Sequence, residues 1–302
     1  MEQRSIKTPP KVHLALFGVA LIYGGTYSIA KGVMPQYLGP SGFVFLRIAT
    51  AAVLFNLVAW LKGFEKLEPG DLMKLAIAGF FGVAGNMMFF FNGLSRTTAT
   101  NASTLMLTAP IFVVIFSLLL LKTKIYWHQI AGILIAAIGA MLLIGGEGIQ
   151  IENNTLFGDA MIIVNAISFA FYLVYVKQLL VKYEVITITR YTFIFGIIYT
   201  IPFAFNDLLI ADYGSFPASI WASLAFVAVM TTFVAYLLNA WAVKYAMPAV
   251  VGSYIYLQPI IATFIAVLFA GEMLSVKKVI FALLIFVGVY LVSSFKVRKK
   301  VG

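Results

Sequence analysis

Cysteine is absent from this 302-residue sequence. That excludes disulfides, thiolate metal sites and cysteine nucleophiles together. Charge is scarce as well. Only 11% of the residues are Asp, Glu, Lys or Arg, against about 25% in a soluble domain. Such a chain cannot cover a water-facing surface. Histidine is limited to His13 and His128, both near helix ends. No His/Asp/Glu cluster with metal-ligand spacing lies in an apolar segment, and no Ser–His or paired-Asp arrangement is visible. There is no phosphate-cradling loop either. An intramembrane enzyme and an ATP-driven pump are therefore disfavoured, and no cofactor or metal is expected. Asp159, Asp207, Asp212 and Glu272 all fall near the outer ends of apolar runs, so a mid-membrane acid for proton relay is missing. No filter motif or charged ring marks a channel.

What the chain does have is apolar sequence. It is 62% hydrophobic, its mean hydropathy is +1.01, and it carries 24 glycines, a residue frequent in membrane helices. These properties predict an all-α integral membrane protein with the lipid bilayer as its main partner. The net charge of +10 then reads as a topology signal and a contact with anionic headgroups, not as a nucleic-acid site. No cleavable signal peptide is expected. The first apolar run, 12–34, is too long for a signal core and lacks a small-residue cleavage site.

A spanning helix needs about 20 mostly apolar residues. Runs of that kind predict ten transmembrane helices, over 12–34, 41–61, 72–93, 98–121, 127–145, 156–180, 187–206, 218–242, 247–270 and 277–296. Breaks such as Glu68-Pro69-Gly70, Gly145-Gly146 and Asn153-Asn154 separate them. Placing the N-terminus in the cytoplasm puts 16 of the 21 basic residues on inner segments, leaving Lys31, Arg47, Arg96, Lys277 and Lys278. This predicts both termini inside a plasma membrane. Residues 1–11 are a cytoplasmic tail, 146–155 an extracytoplasmic connector and 297–302 a basic cytoplasmic tail. The connector divides the chain into five-helix units over 12–145 and 156–296. Pro110 and Pro259 hold matching places in the fourth and ninth runs (259 − 110 = 149), and Gly139 meets Gly288 at the same offset. An odd number of spans inserts the second unit upside down. That is the inverted-repeat plan of many secondary transporters.

The motifs fall in a recognisable order. Tyr23-Gly24-Gly25-Thr26-Tyr27 runs through Lys31 in the first span, and Phe45-Leu46-Arg47 stands in the second. Thr108-Ala109-Pro110 precedes a long apolar run, and Gly158-Asp159 opens the sixth span. Leu257-Gln258-Pro259 and Gly271-Glu272 flank the ninth. In this order the chain resembles the EamA-type members of the drug/metabolite transporter superfamily. Tyr23 stands where Trp is common, and Lys122-Thr123-Lys124 where Gly-Glu often follows the fourth span. The resemblance implies two inverted five-helix repeats around a central cavity lined by the first four helices of each half, with spans five and ten at the periphery. It also implies alternating access for amino acids or other small metabolites, often exported.

Polar groups inside a span are costly and tend to face a cavity or a partner helix. The candidates for a substrate cavity are Tyr23, Tyr27, Lys31, Arg47, Asn86, Thr108, Asn165, Ser168, Tyr172, Tyr236, Asn239, Tyr254 and Gln258. Gly24, Gly25, Pro110 and Pro259 are the candidates for helix breaks or gating. Arg47 can pair with a substrate carboxylate or phosphate, or with the protein itself. Lys31 can snorkel. Gly24 and Gly25 can loosen the helix or pack it closely. Asn165, Ser168 and Tyr172 share one helical face by their spacing, and Tyr254 and Gln258 share another. Phe89, Phe90 and Phe91 read as packing or lipid contacts. The expectation is a secondary transporter, an exporter of small organic solutes, working as a monomer or weak homodimer. A coupling ion or proton is an open partner, and a channel or facilitator is the alternative.

Overall fold

The computed structural model describes residues 8–123, 125–144, 155–269 and 276–293. Ten helices account for nearly all of them, and no strand occurs among the described residues. They are α1 (Pro10–Val33), α2 (Pro40–Lys62), α3 (Asp71–Leu94), α4 (Ala99–Leu121), α5 (Trp127–Ile144), α6 (Leu156–Lys182), α7 (Val185–Ile210) and α8 (Ala218–Tyr245). The ninth, α9, opens as Pro248–Ser253, passes a 3-10 turn at Tyr254–Leu257 and continues as Gln258–Phe269. The tenth, α10, is Val276–Ser293. Helices α1 to α8 are each long and apolar enough to cross a bilayer.

The boundaries follow local chemistry. Pro10, Pro40 and Pro248 stand at helix starts, where a missing N–H costs nothing. Gly63, at φ 89°, ends α2 in a backbone region that favours glycine. Apolar side chains such as Leu14, Phe17, Val53, Leu57, Phe203 and Leu283 are exposed along the outer faces. In water that pattern would be untenable; in a bilayer it is the solvent contact.

The helix contacts repeat across the halves. Helix α1 packs on α8 as α6 packs on α3, and α1 packs on α9 as α6 packs on α4. Helix α2 meets α8 as α7 meets α3, while α2–α7, α4–α9 and α5–α10 are their own counterparts. That set of pairs is what a two-fold axis between repeats generates. Five helices per repeat make the second run opposite to the first, so the repeats are inverted. The α5–α10 crossing is close. A Cβ on Gly288 would lie 2.5 Å from the Gly132 carbonyl, so small residues set the approach.

Departures from regular helix also repeat. Helix α3 carries a π-helical segment at Phe80–Ala84 and α8 one at Val227–Val234. Moved along the chain by the offset between Pro110 and Pro259, positions 80–84 fall on 229–233, inside the second segment. Helix α4 restarts at Ala109 and α9 at Gln258, the same offset again. Pro110 and Pro259 are thus not kinks within continuous helices. Each is the second residue of a restarted segment, where its ring clashes with no preceding turn.

Candidate functional site

A cavity of about 100 Å³ lies at the centre, between two large apolar clusters. Helix α1 contributes Leu16, Val19, Ala20, Tyr23 and Thr26, and α2 contributes Arg47. Helix α3 gives Asn86, Met87, Phe90 and Phe91, α4 gives Met106, and α6 gives Asn165 and Phe169. Helix α8 supplies Tyr236 and Asn239, and α9 supplies Val251, Tyr254, Ile255 and Gln258. Helices α5, α7 and α10 contribute nothing to this wall. No carboxylate is among the lining residues.

Arg47 is the one charged group in the wall. It is 3% exposed. Its Nε donates to Thr232 Oγ1 at 2.9 Å and its Nη2 to Thr231 Oγ1 at 3.1 Å. Both hydroxyls in turn donate to the Val227 carbonyl, at 2.8 and 2.7 Å. The π-helical turn explains this pairing. It leaves the Val227 carbonyl open to two consecutive threonines, which a regular turn would aim in different directions. The Phe91 ring lies under the guanidinium, 4.3 Å from Cζ, with Phe43 at 5.6 Å. Arg47 Nη1 has no hydrogen-bond partner. All its partners are neutral, so among the described residues the cation has no counter-ion.

Asn165 is 2% exposed. Its Nδ2 donates to the Asn86 carbonyl at 2.7 Å. A carbonyl only accepts, so this bond fixes the amide orientation and leaves Oδ1 as the free end. That Oδ1 has no partner. Tyr236 OH lies 3.1 Å from the Gly82 carbonyl and 3.2 Å from Asn86 Oδ1. The bulge in α3 is thus read by side chains of both α6 and α8.

The structure brings Tyr23, Arg47, Asn86, Asn165, Tyr236, Asn239, Tyr254 and Gln258 to the cavity wall. Four other candidates stand elsewhere. Lys31 is exposed and donates to the Thr97 carbonyl at 2.7 Å, at the end of α3. Thr108 donates back to the Leu105 carbonyl at 2.7 Å, where α4 restarts. Ser168 is buried and donates to the Phe81 carbonyl at 2.7 Å. Tyr172 is buried over Gly82, where an added Cβ would run into the ring. The shared face of α6 is therefore split among neighbours: Asn165 meets the cavity, while Ser168 and Tyr172 meet α3. The Tyr27 side chain lies outside the described residues, as do Gly271 and Glu272. Gly25 marks the break in α1, whereas Gly24 is a close-packing site, its Cβ position 2.8 Å from Ile261 Cγ2. Sequence reasoning missed Phe91, Phe43, Thr231 and Thr232 around Arg47. An isolated Thr-Thr pair in an apolar helix is the one signal available for the last two.

Polar contacts close the bundle on either side of the cavity. At the end where α1 begins, His13 Nδ1 and Tyr254 OH are 2.6 Å apart, joining α1 to α9. At the opposite end Asp159 of α6 accepts from Thr97 Oγ1 at 2.5 Å and Thr155 Oγ1 at 3.2 Å. Asn101 Nδ2 of α4 lies 3.3 Å from both its oxygens. At the first end a further cluster holds α3 to α6: Asp71 binds Lys74, Lys182 and Tyr183, and Lys182 also pairs with Glu68.

A multi-pass helical bundle with inverted halves and a small chamber of mixed apolar and polar lining at their meeting point has the architecture of a membrane transporter. The chain belongs to the EamA-like transporter family, whose repeat matches twice, over residues 10–145 and 156–294. An uncharacterized transporter of Archaeoglobus fulgidus is 29% identical, covering 94% of this chain and 98% of that protein. The uncharacterized transporter YyaM of Bacillus subtilis is 25% identical over 92% of each. A protein of Streptantibioticus cattleyicolor described as a probable terminal-alkyne amino-acid exporter is 23% identical, over 78% of this chain and 77% of that one. A solved crystal structure superposes with a TM-score of 0.76 at 17% identity, covering 93% of this chain and 96% of its own. That likeness is one of fold.

Proposed function

We propose that this protein is a secondary transporter that exports small organic solutes, amino acids or related carboxylates, by alternating access through the central cavity. One observation carries the reading. Arg47 lines a cavity with no carboxylate among its lining residues and keeps a buried Nη1 without a partner, which the anionic group of a solute would complete. Chamber size supports a small solute, since drug-sized pockets run to about 300–1,000 Å³. The relative described as an amino-acid exporter supports the solute class and the direction. The inverted repeats support alternating access, with the His13–Tyr254 and Asp159 contacts as the two closures. Basic residues at the end where α1 begins, among them Lys62, Lys66, Lys182, Arg190 and Lys244, support a plasma-membrane protein with both termini in the cytoplasm.

The test is flux in proteoliposomes. Saturable counterflow of a small carboxylate is expected. Arg47→Gln should lower its apparent affinity by about tenfold or more, from losing a charge-assisted bond, while leaving expression and melting temperature near wild type. Flux that rises linearly with concentration would point to a channel. An Arg47→Gln variant that fails to fold would make the arginine structural.

A further inference from the structure

The cavity wall states a charge rule for its solute. Two buried polar atoms lack partners there: Arg47 Nη1, which can only donate, and Asn165 Oδ1, which can only accept. A solute seated against Arg47 and Asn165 would complete both by offering an acceptor to the first and a donor to the second. The remaining polar lining, Tyr23, Thr26, Asn86, Tyr236, Asn239, Tyr254 and Gln258, is neutral. Arginine is a permanent cation, so the wall carries one positive charge and no negative one. A zwitterion entering this chamber leaves that charge uncompensated as a whole. Its ammonium finds neutral acceptors alone, and it feels the guanidinium at short range in a medium of low dielectric. A monoanion whose second group is a neutral donor leaves the loaded chamber uncharged and satisfies both atoms.

We infer that the preferred solute is a small carboxylate bearing a neutral hydrogen-bond donor, such as a hydroxyl or amide N–H, and that Asn165 is the residue that selects for that donor. This rests on the reading of Arg47 as the anion site. It narrows the solutes named above by setting hydroxy acids ahead of amino acids.

A three-carbon set separates the alternatives: lactate, alanine and propionate, matched in size. Apparent affinities come from the rise in melting temperature of the purified protein and from competition in counterflow. Lactate is expected to bind more tightly than alanine, and more tightly than propionate, by about tenfold or more in each case. Asn165→Asp places an anion at the donor site and should invert the order, with alanine ahead of lactate. Gln258→Glu adds a carboxylate to another wall and should shift the ratio the same way, so the rule stays testable if the first variant fails to fold. Arg47-dependent binding that favours alanine or treats propionate and lactate alike overturns the charge rule and leaves the anion site standing. Binding that ignores Arg47→Gln, or no response to any of the three, overturns both.

Discussion

The two repeats are alike in backbone and unlike in chemistry. Their bulges, restarts and end caps coincide. Lys31 of α1 donates to the Thr97 carbonyl, and Lys177 of α6 donates to the carbonyls of Val243, Lys244 and Ala246. The acceptors Thr97 and Ala246 keep the offset of the paired prolines (246 − 97 = 149), and each follows the third helix of its repeat. The lysines (177 − 31 = 146) keep instead the offset between the starts of α1 and α6, at 10 and 156. A cation on the carbonyls at or just beyond a helix C-terminal end is favourable, and both copies keep one there. Cavity positions obey the same offsets but not the same chemistry. Val19, Met87, Phe90 and Met106 answer to Asn165, Tyr236, Asn239 and Ile255. Arg47 answers to Gly196, whose Cβ position is 2.7 Å from Val83 Cγ1. The first half places one cation, Arg47, with Tyr23, Thr26 and Asn86 among apolar side chains, and the second half places five neutral polar groups, Asn165, Tyr236, Asn239, Tyr254 and Gln258, and no charge. Duplication explains the frame.

The closures show the contrast at its sharpest. His13 and Asp159 stand on equivalent turns of α1 and α6, each the fourth residue of its helix. The first of these turns makes a His–Tyr contact, and the second carries a buried carboxylate with three partners. Asp159→Ala removes the shared acceptor of that network. It should cost about 3 kcal/mol or more of the closed state at that end. Cysteine scanning measures this cleanly because the chain has no native thiol. Labelling of Met106→Cys by an impermeant maleimide should rise strongly from the Asp159 side in the Asp159→Ala background. Unchanged labelling would show that the network does not hold the closure.

A second contrast is steric. Gly82 of α3 and Thr231 of α8 are equivalent by the offset of the prolines (231 − 82 = 149). Gly82 has no room for a side chain because the Tyr172 ring lies on it, whereas Thr231 uses its own side chain to hold Arg47. Gly82→Ala should lower stability by about 1–3 kcal/mol through overpacking, read as a fall in melting temperature in detergent. Tyr172→Phe keeps the ring and should change little.

These contrasts mark where the sequence is legible. The spans can be read because a bilayer demands long apolar runs, and their limits lie within a few residues of the expected ones. The repeat can be read from Pro110 and Pro259 because a restarted helix needs a residue with no N–H to satisfy. Arg47, Asn165 and the Tyr254–Gln258 face can be read because polar groups in lipid need partners. The π-helical turns cannot, since Phe80–Ala84 and Val227–Val234 are apolar segments whose local preference is ordinary helix. Without those turns, the roles of Thr231 and Thr232 and of Ser168 stay hidden. Periodicity likewise gives a face and not a neighbour, which is why spacing alone groups Tyr172 with Asn165. Lys31 reads as a polar group near a span end, and only the turn after α3 shows what it caps.

The α2–α7 pair allows the smallest test, because it is its own counterpart and is clamped at both ends by different means. At one end Asp207 Oδ2 accepts from the backbone N–H groups of Ser41 and Gly42, at 2.9 and 3.0 Å, where α2 starts. At the other, Arg190 Nε donates to Asn56 Oδ1 at 2.7 Å. The first is an anion on a helix N-terminus, charge-assisted and aligned with the helix dipole. The second is a cation on a neutral amide, with the Arg190 guanidinium also 4.4 Å from the Phe64 ring, so losing the amide leaves it a partner. Asp207→Ala should therefore cost about 1–2 kcal/mol, and Asn56→Ala about 0.5–1.5 kcal/mol. The two sites lie at opposite ends of the pair, so their effects should add in the double variant to within about 0.5 kcal/mol. Thermal unfolding of the single and double variants measures this. A double variant no less stable than Asp207→Ala alone would show that the α2–α7 pair opens as one unit, and that its two ends are not separate clamps.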